Sequence, residues 1–96
     1  MGGQTFTAKA KGKTAKDAFN DATARARHDY GHAGYTGSIA EKDSFVAIPV
    51  PAGVNPIDFA HDLLRNDDPR VSDKWGPAGC VRVKDNEFYF FGWASS

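Results

Sequence analysis

The sequence predicts an α+β fold: a two-layer sandwich with two helices on one face of an antiparallel sheet, in the order β-α-β-β-α-β-β, a ferredoxin-like variant with an added edge strand. Three observations carry this. An alternating run precedes each of two capped amphipathic stretches, alternation resumes in a hairpin near the C-terminal end, and 96 residues with 41% hydrophobic and 25% charged content suit one core rather than two. Residues 1–96 therefore read as a single domain.

Residues 4–11, QTFTAKAK, set Phe6, Ala8 and Ala10 on one face and Thr5, Thr7, Lys9 and Lys11 on the other, the period of a half-buried strand. A helix follows over TAKDAFNDATARARHDYG. Thr14 and Asp17 form its start signal, Ala15, Ala18, Phe19, Ala22, Ala26 and Tyr30 recur at helical spacing, and Gly31 ends it. Alanines on the buried side let this helix lie close to a sheet, while Asp21, Arg25 and Asp29 offer i,i+4 pairs on the wet side. Residues 35–41 and 44–50 predict a hairpin of two short strands turning at Lys42 and Asp43. Asn55 as cap, Pro56 at the first helical position and Asp58 three residues after the cap open a second helix ending near Asn66. Its apolar arc is Ile57, Phe59, Ala60, Leu63 and Leu64. A polar, turn-rich segment then leads to the last hairpin, CVRVK and EFYFFGW, around Asp85 and Asn86.

A two-residue loop at Asp85 and Asn86 sets Lys84 opposite Glu87, Val83 opposite Phe88, Arg82 opposite Tyr89, Val81 opposite Phe90 and Cys80 opposite Phe91. Arg82 over Tyr89 is then a cation–π pair. Parity puts Val81, Val83, Phe88 and Phe90 beneath the helices and leaves Cys80, Tyr89, Phe91 and Trp93 on the open face; Phe45 joins them if Ile39, Val46 and Ile48 are the core side of their hairpin. An aromatic patch of this kind marks an interface. Tyr89, Phe91 and Trp93 are the candidate contact residues, with Phe45, Arg82 and Cys80 at the margin. Three occupants fit: the 67–79 loop or the C-terminal tail folded back, a second copy forming a homodimer, or a foreign protein.

Twelve basic and twelve acidic residues cancel, so no net field draws the chain to phosphates or anionic lipid. The absence of the K/R-G-F/Y-G/A-F-V-x-F/Y signature, and of an outward aromatic on the first strand, also argues against nucleic acid. No stretch approaches the roughly 20 apolar residues of a membrane span, and MGGQTFTAKAKGK lacks the apolar run of a signal peptide. Phe6 stands where a myristoylation signal wants Ser or Thr. The lone Cys80 excludes an intramolecular disulfide and fits a reducing compartment. Together these features predict a soluble, cytoplasmic protein.

His28 and His32 stand four apart, with His61 and Cys80 as further zinc ligands to consider. A C-cap at Gly31 takes His32 off the helical face, and no C-x-x-C or H-E-x-x-H spacing is present, so no metal and no cofactor are expected. Gly31, Gly34 and Gly37 follow a helix and enter a strand, the reverse of a phosphate loop, and read as cap, turn and bulge. The alternative is a small-ligand or nucleotide loop within 31–41 that uses His32, Tyr35, Thr36 and Glu41. Cys80, between Gly79 and Val81, reads as an apolar filler rather than a nucleophile, which ranks a metal- or cysteine-dependent enzyme third. Asp62, Asp67 and Asp68 lack calcium-loop order and read as a solvated turn.

The segment GHAGYTGSIAEKDSFV, residues 31–46, resembles a group of short proteins carried by bacteriophages and some bacterial hosts, which share G-H-x-G-Y-T-G-x-I-A-E-K after an alanine- and arginine-rich helix. The likeness spans residues 20–50 and continues loosely through DKWGPAGC. The group has no assigned activity, so the resemblance implies no catalytic residue, only a phage accessory protein. Joined to a neutral single domain with an aromatic face, it predicts a non-enzymatic protein that binds a host protein through Tyr89, Phe91 and Trp93.

Overall fold

The computed structural model describes residues 3–30 and 38–95. In chain order the elements are β1 (Gly3–Lys11), α1 (Ala15–Tyr30), a 3-10 turn (Ile39–Glu41), β2 (Phe45–Ala47), α2 (Pro56–Arg65), β3 (Ala78–Lys84) and β4 (Glu87–Ser95). The α+β class is the one the sequence predicts, and the strands and helices follow one another in the predicted order, with four strands among the described residues where five were expected. Both helix starts form as read. The amide of Asp17 donates to Thr14 Oγ1 at 3.2 Å, and Asn55 Oδ1 accepts from the amides of Ile57 and Asp58 at 2.9 and 3.1 Å, with Pro56 opening α2. At Gly12 the chain passes so near the start of α1 that a Cβ would lie 2.5 Å from the Ala18 nitrogen, an approach only glycine allows.

The sheet runs β1-β4-β3-β2 and is mixed rather than wholly antiparallel. β4 pairs antiparallel with both β1 and β3, whereas β2 pairs parallel with β3 through α2, the crossover that parallel neighbours require. The expected hairpin around Lys42 and Asp43 does not form. Residues 39–41 make the 3-10 turn, with Ser38 Oγ accepting from the Ala40 amide; residues 35–37 of the expected strand lie outside the described residues.

The largest correction concerns the helices, which cover opposite faces of the sheet. Along β4, Phe88, Phe90 and Ala94 pack with Ala18, Phe19, Ala22 and Ala26 of α1. The alternate residues Tyr89, Phe91 and Trp93 pack with Ala60, Leu63 and Leu64 of α2. β3 divides likewise, with Ala78 and Cys80 toward α1 and Val81 and Val83 toward α2. Strand side chains alternate, so the two clusters must lie on opposite sides.

The last hairpin is shifted from its expected register. Lys84 faces Glu87 as read, but Arg82 faces Phe88, Val81 faces Tyr89 and Cys80 faces Phe90, with a bulge between Arg82 and Lys84. A type I′ two-residue turn needs positive φ at both central residues and a type II′ turn at the first; of Asp85 and Asn86 only Asn86, the second, has it, at 62°. The bulge absorbs the difference and moves each residue beyond it by one partner.

Two contacts fix the 66–77 loop against the sheet. Val71 is buried over Gly79, where a Cβ would meet Val71 Cγ1 at 2.6 Å and the Phe91 ring at 2.7 Å. Lys42, 2% exposed, donates from Nζ to the carbonyls of Gly76, Lys74 and Asp73 at 2.8, 3.0 and 3.4 Å. Its ammonium thereby replaces lost hydration with charge-assisted bonds and holds a turn whose tip, Trp75, is 66% exposed.

Candidate functional site

The expected aromatic contact face is closed by α2. Phe91 is fully buried and Tyr89 is 9% exposed. Trp93 is half-buried in the same cluster. Fully burying a side chain such as Ile48, Leu63, Leu64 or Phe91 stabilises by roughly 1.5–3 kcal/mol, so these four together approach the whole stability of a small domain. Helix α2 is therefore a structural layer rather than a removable lid. Cys80 and Phe45 lie on the other side: Cys80 is 2% exposed, and Phe45 packs against Phe19 and Phe90 with ring centroids 5.1 and 5.8 Å away. Exposed Arg82 pairs with Asp85 instead of covering Tyr89.

Burial pushes the Cys80 thiol up to about 12, so it stays protonated and unreactive at neutral pH. The sheet also separates it from His61, which bonds to Tyr89 Oη at 3.2 Å on the α2 side. Among the described residues, no three His, Cys, Asp or Glu side chains are grouped to hold a metal ion. His32, Tyr35 and Thr36 lie outside the described residues, and Glu41 ends the 3-10 turn. No described helix is long and apolar enough to cross a membrane.

What the fold leaves open is the outer edge of β1. Gly12 N donates to Asn86 O at 3.0 Å, and this pair continues the constant β1–β4 register. In an antiparallel ladder, bonded and non-bonded pairs alternate. The even-numbered residues from Gln4 to Ala10 therefore direct amide and carbonyl to β4, whereas Thr5, Thr7 and Lys9 direct theirs away from the sheet. Among the described residues, no strand takes up those groups. Beside them runs a groove of about 390 Å³, walled by Thr5 to Lys9 along β1, by Ala22, Arg25 and Ala26 of α1, and by Ile39 at one end.

The opposite sheet edge is different. β2 has three residues, and Pro49 and Pro51 follow it closely, two devices that blunt an edge against pairing. β1 has nine residues, with lysine only at positions 9 and 11.

A second hollow, of about 720 Å³, lies where α2 stops short of β1, lined by Thr5, Asp58, His61, Leu64, Arg65, Asp67 and Trp93. Trp93 Nε1 is buried there without a hydrogen-bond partner among the described residues. Asp68, next to this rim, bonds to Arg70, which holds its carboxyl down at about 2.

No protein-family model, curated protein or solved structure matches the chain. Function is therefore argued from residues and geometry. Sequence reasoning found the exposed face of β1 but not its edge position, because alternation reports which side of a sheet a residue faces and not which strand lies next to it. The signal available was the contrast between a long Pro-free first run and the short, Pro-bounded run at 45–51.

Proposed function

We propose that this chain is a small non-enzymatic accessory protein of phage type that binds a cytoplasmic protein of the bacterial host, taking hold of it along the outer edge of β1. One observation carries the proposal: Thr5, Thr7 and Lys9 point backbone donors and acceptors into a groove while the long strand that bears them lacks an outer neighbour among the described residues. An extended segment of another protein completes such an edge by adding a strand. The unreactive Cys80 supports a binding role over a catalytic one. A second reading, a small-ligand protein, draws on the orphaned Trp93 indole beside the 720 Å³ hollow.

The test uses Thr7→Pro, which removes an outward N–H without breaking a β1–β4 bond. A host protein captured by the wild-type chain, identified and then rebound in purified form, is expected to lose at least about tenfold in affinity for the variant. Equal affinity for wild type and variant would overturn edge binding. Thermal stabilisation by a nucleotide or metabolite, abolished by Trp93→Phe but not by Thr7→Pro, would favour the second reading instead.

A further inference from the structure

We propose that Trp75 is a second anchor for the protein held along β1, its indole entering an apolar pocket on that partner. This rests on the edge-binding reading above and adds a contact residue and the chemistry it requires of the partner. Among the described residues, the exposed large apolar side chains are Val54 at 41% and Trp75 at 66%. A lone apolar residue at a surface is ordinary. What sets Trp75 apart is how its backbone is mounted.

The turn that carries it is fixed on both sides of the indole. Asp73 Oδ1 accepts from the Trp75 amide at 2.8 Å, and the Asp73 carbonyl accepts from the Gly76 amide at 2.9 Å. The carbonyls of Lys74 and Gly76, the two residues flanking Trp75, accept from the buried Lys42 ammonium. Burying an ammonium is costly unless it is bonded in this way. The fold thus holds firmly a side chain that, two-thirds exposed, adds little to the core. A tryptophan already held in place loses little freedom on binding, and tryptophan is among the residues in which binding energy concentrates.

Position ties this anchor to the open edge. The Lys74 side chain lies alongside Gly3, where a Cβ would meet its Cδ at 3.6 Å, and Lys42 Nζ stands 5.9 Å from the centre of the Phe6 ring. Gly3 and Phe6 belong to the first half of β1, so the turn sits at the end where that strand begins. A segment paired with Thr5 and running past Gly3 comes to the turn within about two residues, roughly 7 Å. One partner can therefore pair with the strand and receive the indole. Lys74 Nζ already lies 5.5 Å from the indole centre, so the ring brings a cation of its own and what the partner adds is apolar enclosure.

The experiment measures binding of the purified host protein, identified by capture on the wild-type chain, to wild type, Trp75→Ala and Thr7→Pro. Trp75→Ala is expected to keep the wild-type urea midpoint and to lose at least about tenfold in affinity. In the chain labelled with 5-fluorotryptophan, the Trp75 fluorine signal, assigned by its absence from Trp75→Ala, should show a solvent isotope shift when free and lose it when bound. Undiminished affinity of Trp75→Ala beside a weakened Thr7→Pro would overturn the anchor and leave edge binding standing. Loss by Trp75→Ala alone would overturn the joint surface, and a wild-type chain that binds no host protein would overturn both readings. Loss of the isotope shift on adding phosphatidylcholine–phosphatidylserine vesicles, or on raising the concentration of the chain alone, would assign the indole to a bilayer or to a second copy and overturn the inferred occupant.

Discussion

Phe91 shows how one side chain changes meaning with its surroundings. It lies between β4 and α2, closely stacked on Gly79 and fully buried. Phe91→Ala is expected to lower stability by about 3–5 kcal/mol in urea titration, the range for an aromatic removed from a core. Phe91→Asp should leave the chain unfolded by circular dichroism; a folded, stable Asp variant would show the face to be open after all. Cys80 gives a second check. Its raised value means that the unfolded thiol ionises from about 9 while the folded one holds its proton to about 12, so its contribution to stability is intact below 9 and fades across that window. At pH 8 its modification by a thiol reagent should proceed only as fast as the protein opens, and prompt labelling of the native chain would contradict its burial.

At the scale of the elements, the two faces of β1 and its two backbone parities do different work. Ala8→Pro removes the amide that bonds Phe90 and leaves a buried carbonyl unpaired, whereas Thr7→Pro removes an amide that points outward. Urea titration of the two variants should find Ala8→Pro the less stable by roughly 1–3 kcal/mol. Equal losses would mean that the outward groups are already paired. The helices were legible in sequence because their signals are local: Thr14 with Asp17, Asn55 with Pro56, alanine and leucine at helical spacing. The hairpin was legible as a hairpin and misread by one residue, since the backbone angle at Asp85 is a tertiary outcome that its sequence leaves open. That single slip exchanged the faces of Val81 and Cys80, whereas Tyr89, Phe91 and Trp93 share one face in either register and were misread as open because α2 crosses to cover them.

For the whole molecule, the class and chain order followed from periodicity, but strand order did not. Nothing local in QTFTAKAK says that β4 rather than β3 or β2 will lie beside it, nor that α2 crosses to the face away from α1. Once both helices are placed, each face of the sheet has its cover: α1 over β1 and β4, α2 over β3 and β4. Among the described residues, the long edge and two hollows beside it stay uncovered by either helix.

The measurement that bears most directly on this is native-state hydrogen exchange of the isolated chain, resolved amide by amide along β1. The Thr5, Thr7 and Lys9 amides should exchange at close to unfolded rates, while those of Phe6, Ala8 and Ala10 should be slowed at least about a hundredfold by their bonds to β4. Uniform protection along the strand, odd and even alike, would mean that the outer edge is already paired and would contradict its proposed role as the binding surface.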